Sequence, residues 1–296
     1  MKNLITIVGP TATGKSDLGV FLAERYNGEI ISADSRQIYK DLDIGSGKIT
    51  NGDMKNIMHF GLDIIPLERN FSVSEYKKYT ENIMESIYKR EKTPLLVGGT
   101  GFYIQSIVDD YISPEVPPNA DLREKLSHSS LSELQDTLKN LDPKRFESIE
   151  KENPRRLIRS IEIATELGHV PEIISNERFN TLQIGLCAER EYLKEKIDLR
   201  TKKRIENGMI EEMQNLLSRY DRDFLYSLGF DQSLCIDLIE GKIENIETLT
   251  ELVALRSLQY AKRQMTWFKR DKRIHWIDIG KGDVLKKAES LVDGFL

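Results

Sequence analysis

The chain is poor in the residues that build covalent or metal scaffolds. Its 296 residues hold only two cysteines and four histidines. Cys187 and Cys235 lie far apart and form neither a C-x-x-C pair nor a disulfide framework, so they read as reduced core thiols of a cytoplasmic protein. His128, His169 and His275 have no metal-ligand spacing. No apolar run approaches the roughly 18–20 residues of a membrane span. Met1-Lys2-Asn3 leads straight into a short apolar run, without the h-region or cleavage site of a secretory signal. With 19 glycines and nine prolines, the chain is neither collagen-like nor low-complexity.

What is present is a globular composition. Hydrophobic residues make up 39% and charged residues 31%, enough to build a core, and the length suggests about two domains or one with an insertion. Net charge is −5, yet basic residues gather. Residues 252–273 carry a net +6, residues 190–204 +4 and residues 151–160 +3. Each run alone reads as a solvated helix face. Three of them in an acidic chain point to an anionic partner.

The pattern is strand alternating with helix. Leu4–Val8 predicts a strand ending at Gly9, and Ser16–Tyr26 a helix. Glu29–Asp34 predicts a second strand, 74–89 a helix, and Thr93–Val97 a third strand closed by Gly98-Gly99-Thr100-Gly101. This alternation indicates an α/β protein with a parallel sheet, whose ligands sit at the carboxyl ends of the strands. Ser113–Asn119 is a proline-rich boundary, and 120–178 reads as amphipathic helices. Leu182–Cys187 is β-like again, the chain beyond Arg190 is mostly helical, and Ile274–Ile277 is a short strand. The expected organisation is a catalytic core of 1–115 and 182–296 with a helical insertion of 116–181.

Gly9-Pro10-Thr11-Ala12-Thr13-Gly14-Lys15-Ser16 fits G-x-x-x-x-G-K-[ST], with a strand before it and a helix after. Backbone N–H groups and the helix N-terminus face phosphate oxygens, Lys15 adds an ammonium, and Ser16 offers a hydroxyl to Mg²⁺. A di- or triphosphate is the implied ligand. Hydrolases and kinases with this loop usually carry a second strand-end aspartate for the metal. Here the Pro94–Val97 strand ends in Gly98-Gly99-Thr100, and the strand-end acid near the loop is Asp34. It either serves the metal or accepts a proton. Read alone, Thr100 is a turn residue or a catalytic hydroxyl, and Arg200 an ordinary surface arginine.

Taken together, Gly9–Ser16, Ile30–Tyr39 with its Ser-Ala-Asp-Ser-Arg-Gln core, Val97–Tyr103 and Ala261–Phe268 resemble the tRNA dimethylallyltransferase family, bacterial type, over nearly the whole chain. The resemblance implies a P-loop NTPase-like α/β fold. It also implies transfer of a dimethylallyl group from dimethylallyl diphosphate to N6 of the adenine 3′ to the anticodon of tRNA. It places the catalytic residues at Asp34, Thr100 and Arg200, gives Arg190 a secondary role, and makes Gly9–Ser16 the seat of a leaving group rather than of a hydrolysed nucleotide. Asp34, Ser35, Arg36, Gln37 and Thr100 would meet the target base or its neighbours. Arg123, Arg155, Arg156, Leu157, Ile158, Arg159, Lys262 and Arg263 would meet the RNA, with Gln264 beside them. A monomer is expected.

Met58-His59-Phe60, Ile49 and Asp231 depart from the family pattern, Asp231 by placing an acid where a phosphate contact is expected. Three other readings remain. A P-loop small-metabolite kinase would use Asp34 on a hydroxyl, an adenylate isopentenyltransferase would need no basic insertion, and a nucleotide-gated binding module would need no strand-end chemistry.

Overall fold

The computed structural model describes residues 1–111, 114, 116–171 and 178–296. Two compact units emerge, one of Met1–Asp110 with Glu177–Leu296 and one of Tyr111–Asn176.

The larger unit begins β1 (Lys2–Val8), α1 (Lys15–Arg25), β2 (Gly28–Ser32), β3 (His59–Phe60), α2 (Val73–Lys89), β4 (Thr93–Gly98) and α3 (Gly101–Val108). The smaller unit holds α4 (Ala120–Ser127), α5 (Leu131–Leu141), α6 (Pro143–Ser148) and α7 (Pro154–Leu167). The larger unit resumes with β5 (Phe179–Cys187), α8 (Arg190–Glu206), α9 (Met209–Leu217), α10 (Arg222–Ser227), α11 (Phe230–Ile239), α12 (Ile246–Phe268), β6 (Ile274–Asp278) and α13 (Val284–Asp293).

The six strands form one sheet in the order β3-β2-β4-β1-β5-β6, and every pair is parallel. Parallel strands are covered on both faces, so their sequences are apolar throughout. Ile5, Ile7, Leu95 and Ile184 pack with α1 on one face, and Leu4, Val8, Ile31 and Leu96 pack with α2 and α3 on the other. Ser32 lies opposite Val97, which sets the end of β2 beside the end of β4. β5 begins at Phe179, three residues before the apolar run that signals it. The two-residue β3 went unanticipated, because two residues carry no periodicity. Among the described residues, no helix is long and apolar enough to cross a membrane.

A second core lies under the C-terminal helices. Ile38, Leu42 and Ile65, from the segment after β2, pack with Met209, Met213, Ile236 and Val253. That segment therefore belongs to the helical layer as much as to the sheet.

The smaller unit has its own core of Leu134, Leu138, Leu157 and Ile161. α5 starts in a capping box of Ser130 and Glu133. α7 starts at the Asn153 cap with Pro154 in its first turn, and ends at Gly168 in the left-handed region.

Candidate active site

The loop after β1 turns under close constraint. Gly9 has φ +141°, and a Cβ there would lie 2.4 Å from the Leu186 carbonyl oxygen of β5, so the turn accepts only glycine. Inside the loop, the Thr13 hydroxyl donates to Pro10 O at 2.8 Å and Lys15 Nζ to the same oxygen at 2.7 Å. Gly14 precedes α1 in the left-handed region and gives it no side-chain cap. The first-turn amides of α1 therefore have no intrahelical or cap partner and suit an anion. Burial of its ammonium, and next the nearby Arg200, lower the Lys15 pKa to about 7, while Asp34 pulls the other way. Ser16 is exposed at the start of α1.

The ends of β2 and β4 are tied together. Ala33 N donates to Val97 O at 2.8 Å, and Thr100 N to Ala33 O at 3.0 Å. Ser35 N donates to the Thr100 hydroxyl at 3.0 Å. Gly98 permits this, since a Cβ there would lie 2.1 Å from Ala33 O. Asp34 Oδ1 accepts from Arg36 N at 2.8 Å, and the residue stays partly exposed. Arg36 is exposed, whereas Gln37 turns inward: its Oε1 accepts from the Ser32 hydroxyl at 3.0 Å and its Nε2 donates to Gly47 O at 3.3 Å.

Arg200 reaches the same place from α8. Its two terminal nitrogens donate to the Thr11 hydroxyl at 2.5 Å and to Gly47 O at 3.4 Å. Burial, then the neighbouring Arg204, lower its pKa from the ordinary arginine value. The loop carrying Gly47 is itself pinned. Glu212 accepts from the amides of Asp43, Ile44 and Gly45 at 2.7–2.9 Å. Arg204 donates to Ile44 O and Gly45 O, and pairs with Asp231 at 3.1 Å. Asp231, expected near phosphate, thus spends its charge on this arginine. Lys48 Nζ binds Tyr39 O, Asp43 and Asp63. At the other departures from the family pattern, Met58 is exposed, and His59 Nδ1 lies 2.8 Å from Ile57 O with its pKa lowered by burial.

Helix α12 supplies what the sequence reading missed. Lys262 and Arg263 are exposed, as expected, and Arg263 lies over the Tyr260 ring. Gln264, expected to reach RNA phosphate, is buried instead, with its Oε1 accepting from Thr11 N and its Nε2 donating to Gly99 O, both at 2.9 Å. It faces inward because it stands one turn after Tyr260 and one before Phe268, on the helix face toward the sheet. Tyr260 was not singled out. Burial, followed by the charge of Asp34, pushes its hydroxyl up to about 12. Gln264 falls in the inward-facing repeat of Val253, Ser257, Ala261 and Phe268, which was the available signal for it, while Tyr260, half-buried, stands outside that repeat.

In the smaller unit, the basic residues of 123–159 divide. The Glu162 carboxylate, almost fully buried, takes a bidentate grip from Arg123 at 2.9 and 2.8 Å, the Asn119 amide at 2.6 Å, and Arg159. Burial alone would raise the Glu162 pKa, but these donors, Arg123 foremost, bring it down to about 2. Arg159 also donates to Val116 O at 2.8 Å. Arg123 and Arg159 therefore hold the unit together through Glu162. Leu157 has no exposed surface and Ile158 is half-buried. The expectation that Leu157 touches RNA is corrected on that ground: its side chain belongs to the core. Arg156 pairs with Glu150 at 2.8 Å between exposed side chains. Arg155 is exposed and has no ion-pair partner among the described residues.

A parallel sheet with a phosphate loop after β1, and an acid and a hydroxyl closing the adjacent strands, defines a P-loop-type α/β protein. A family model described as IPP transferase matches residues 37–271. The tRNA dimethylallyltransferase of Halothermothrix orenii is 38% identical over 294 residues, covering 96% of this chain and 89% of its own. That of Corynebacterium diphtheriae is 37% identical, covering 97% of each. Among solved structures, the tRNA isopentenylpyrophosphate transferase of Bacillus halodurans superposes with a TM-score of 0.76 at 32% identity, covering 99% of this chain and 96% of its own. A eukaryotic dimethylallyltransferase acting on tRNA gives 0.85 at 25% identity, covering 98% and 78%. The chain belongs to the IPP transferase family.

Proposed function

We propose that the protein transfers a dimethylallyl group from dimethylallyl diphosphate to N6 of the adenine 3′ to the anticodon in tRNA. The observation that carries this reading is the meeting of three elements: Arg200 on Thr11 of the phosphate loop, Asp34 at the end of β2, and Thr100 bonded to Ser35 beside it. The named relatives, which act on tRNA, support the same reading.

The allylic C–O bond breaks as negative charge gathers on diphosphate. Lys15, the first-turn amides of α1 and Arg200 stabilise that charge. The adenine amine forms the new C–N bond and grows acidic as it does so. Asp34 takes its proton, and Thr100 holds the amine in line. Gly9, Pro10, Thr11, Ala12, Thr13 and Gly14 shape the cradle. Ser16 would hold Mg²⁺ together with diphosphate oxygens and water. The Ser16 hydroxyl, exposed at the start of α1, is an oxygen donor and suits a hard cation. When bound, the ion neutralises the leaving group.

The target base must leave its stack to reach Asp34, and a loop base does so cheaply. Ser35, Arg36 and Thr100 stand where the base or its neighbours would arrive. Arg155, Arg156, Lys262 and Arg263 supply phosphate contacts, with helices α4–α7 of the insertion lying against the anticodon arm. The protein acts as a cytoplasmic monomer.

The test is incubation with dimethylallyl diphosphate, Mg²⁺ and an anticodon stem-loop carrying adenine 3′ to the anticodon. Mass spectrometry should find one dimethylallyl group on that adenine. Release of γ-phosphate from ATP without alkylation would favour a kinase, and alkylation of free AMP instead of the stem-loop would favour the adenylate enzyme.

A further inference from the structure

We infer that Gln264 is a positioning residue that fixes the distance between the diphosphate cradle and the Thr100 turn, and so aligns donor carbon with acceptor nitrogen. The inference rests on the function proposed above and deepens it.

The two halves of the reaction lie on different strand ends. The leaving group belongs to the loop after β1 and the acceptor to the turn after β4. β1 and β4 are neighbours, but their ladder stops at Val8 and Gly98. Beyond that point ladder pairing no longer sets the spacing of the two turns. Gln264 spans the gap with one amide, accepting from Thr11 N and donating to Gly99 O, both at 2.9 Å. Those partners sit one residue from the reacting groups on the acceptor side and within the cradle on the donor side. Thr11 is fixed again through its hydroxyl by Arg200. The approach is tight: a Cβ at Gly99 would lie 2.2 Å from Gln264 Nε2, and one at Gly101 would lie 2.2 Å from the Trp267 ring of the same helix.

The chemistry selects an amide. Thr11 N, part-buried, needs an acceptor, and Gly99 O, in a fully buried contact, needs a donor; an unmade bond is costly at the second above all. A carboxylate offers only the acceptor, and an apolar isostere offers neither. A protonated carboxylic acid offers both, with its carbonyl for Thr11 N and its hydroxyl for Gly99 O.

That difference gives the test. Gln264→Met keeps the volume and removes both bonds. Its kcat should fall about 10- to 100-fold, the scale of a small misplacement at a reacting centre, with KM for the stem-loop within about threefold of wild type. Gln264→Glu should lose a similar factor at pH 8.5, and its kcat relative to wild type at the same pH should recover as pH falls and the acid protonates. Binding of magnesium pyrophosphate, followed by calorimetry, should weaken and recover in parallel without turnover. A Gln264→Glu ratio that stays flat with pH, in folded protein, would overturn the inference whether or not Gln264→Met folds. So would wild-type kcat and pyrophosphate affinity in both variants. If wild type transfers no dimethylallyl group but pyrophosphate binding still follows the acid's protonation, the proposed function fails and the coupling of loop to turn stands.

Discussion

Gly47 has no side chain because Arg200 occupies the place where one would stand: a Cβ on Gly47 would lie 2.1 Å from an Arg200 terminal nitrogen, and its φ is +63°. The loop after β2 is thus a seat for the arginine that also grips Thr11. Gly47→Ala should push the guanidinium off the phosphate loop and lower kcat/KM for the prenyl donor about 10- to 100-fold. Gly241, at φ +75° with no neighbour within 4 Å, is the control. Gly241→Ala carries the same kind of backbone strain, of order 1 kcal/mol, and should leave kcat/KM unchanged. Equal kinetics for the two variants would detach Arg200 from the reaction.

Asp34→Asn keeps an oxygen to accept from Arg36 N, so the local turn should survive. What it loses is the proton acceptor. We expect kcat to fall at least about 10²-fold, with stem-loop affinity unchanged in a binding titration. Unaltered turnover would remove Asp34 from proton transfer.

Lys15 sets a pH dependence for donor binding. In the free protein, burial and Arg200 hold its pKa at about 7. A bound diphosphate favours the charged ammonium and raises that pKa. Binding above pH 7 therefore takes up a proton, and affinity falls as pH rises through that region. Calorimetry of pyrophosphate binding at pH 8, in two buffers of different ionisation enthalpy, should show net proton uptake. Lys15→Met should abolish it.

Arg155 and Arg123 should separate on one experiment. Arg155→Ala should weaken stem-loop binding and reduce the slope of log K against log salt by about one, with little change in Tm. Arg123→Ala should lower Tm, since it strips the bidentate partner from buried Glu162. Glu162 has a depressed pKa, so its stabilising contribution is present above the ordinary carboxylate value. It is lost as pH falls toward about 2. Acid should therefore erase the Tm gap between wild type and Arg123→Ala.

The phosphate loop and the strand ends were legible because each is written in contiguous residues: Gly9–Ser16, the acid after Ile30-Ile31, the glycines after Leu95–Val97. Helix α2 and strand β4 fall within a residue of their expected limits, and strands β1 and β2 within two. The illegible parts depend on partners distant in sequence. Gln264 reads as one more polar residue in a basic helix until Thr11 and Gly99 stand beside it. Arg123 and Arg159 read as free charge until Glu162 gathers them. Glu212 gives no local sign that it will collect three amides from residues 43–45. Composition reports how much charge a segment carries, while burial decides which charges remain available to a partner.

The strand order has a consequence for synthesis on the ribosome. β1 is made first, yet it lies between β4 and β5. One edge of the earliest strand therefore stays unpaired until the chain has grown past Cys187, more than half its length. An apolar, open-edged segment held waiting that long invites strand addition by other nascent chains. Truncations ending before Phe179 should aggregate during translation, and those extending beyond β6 should not.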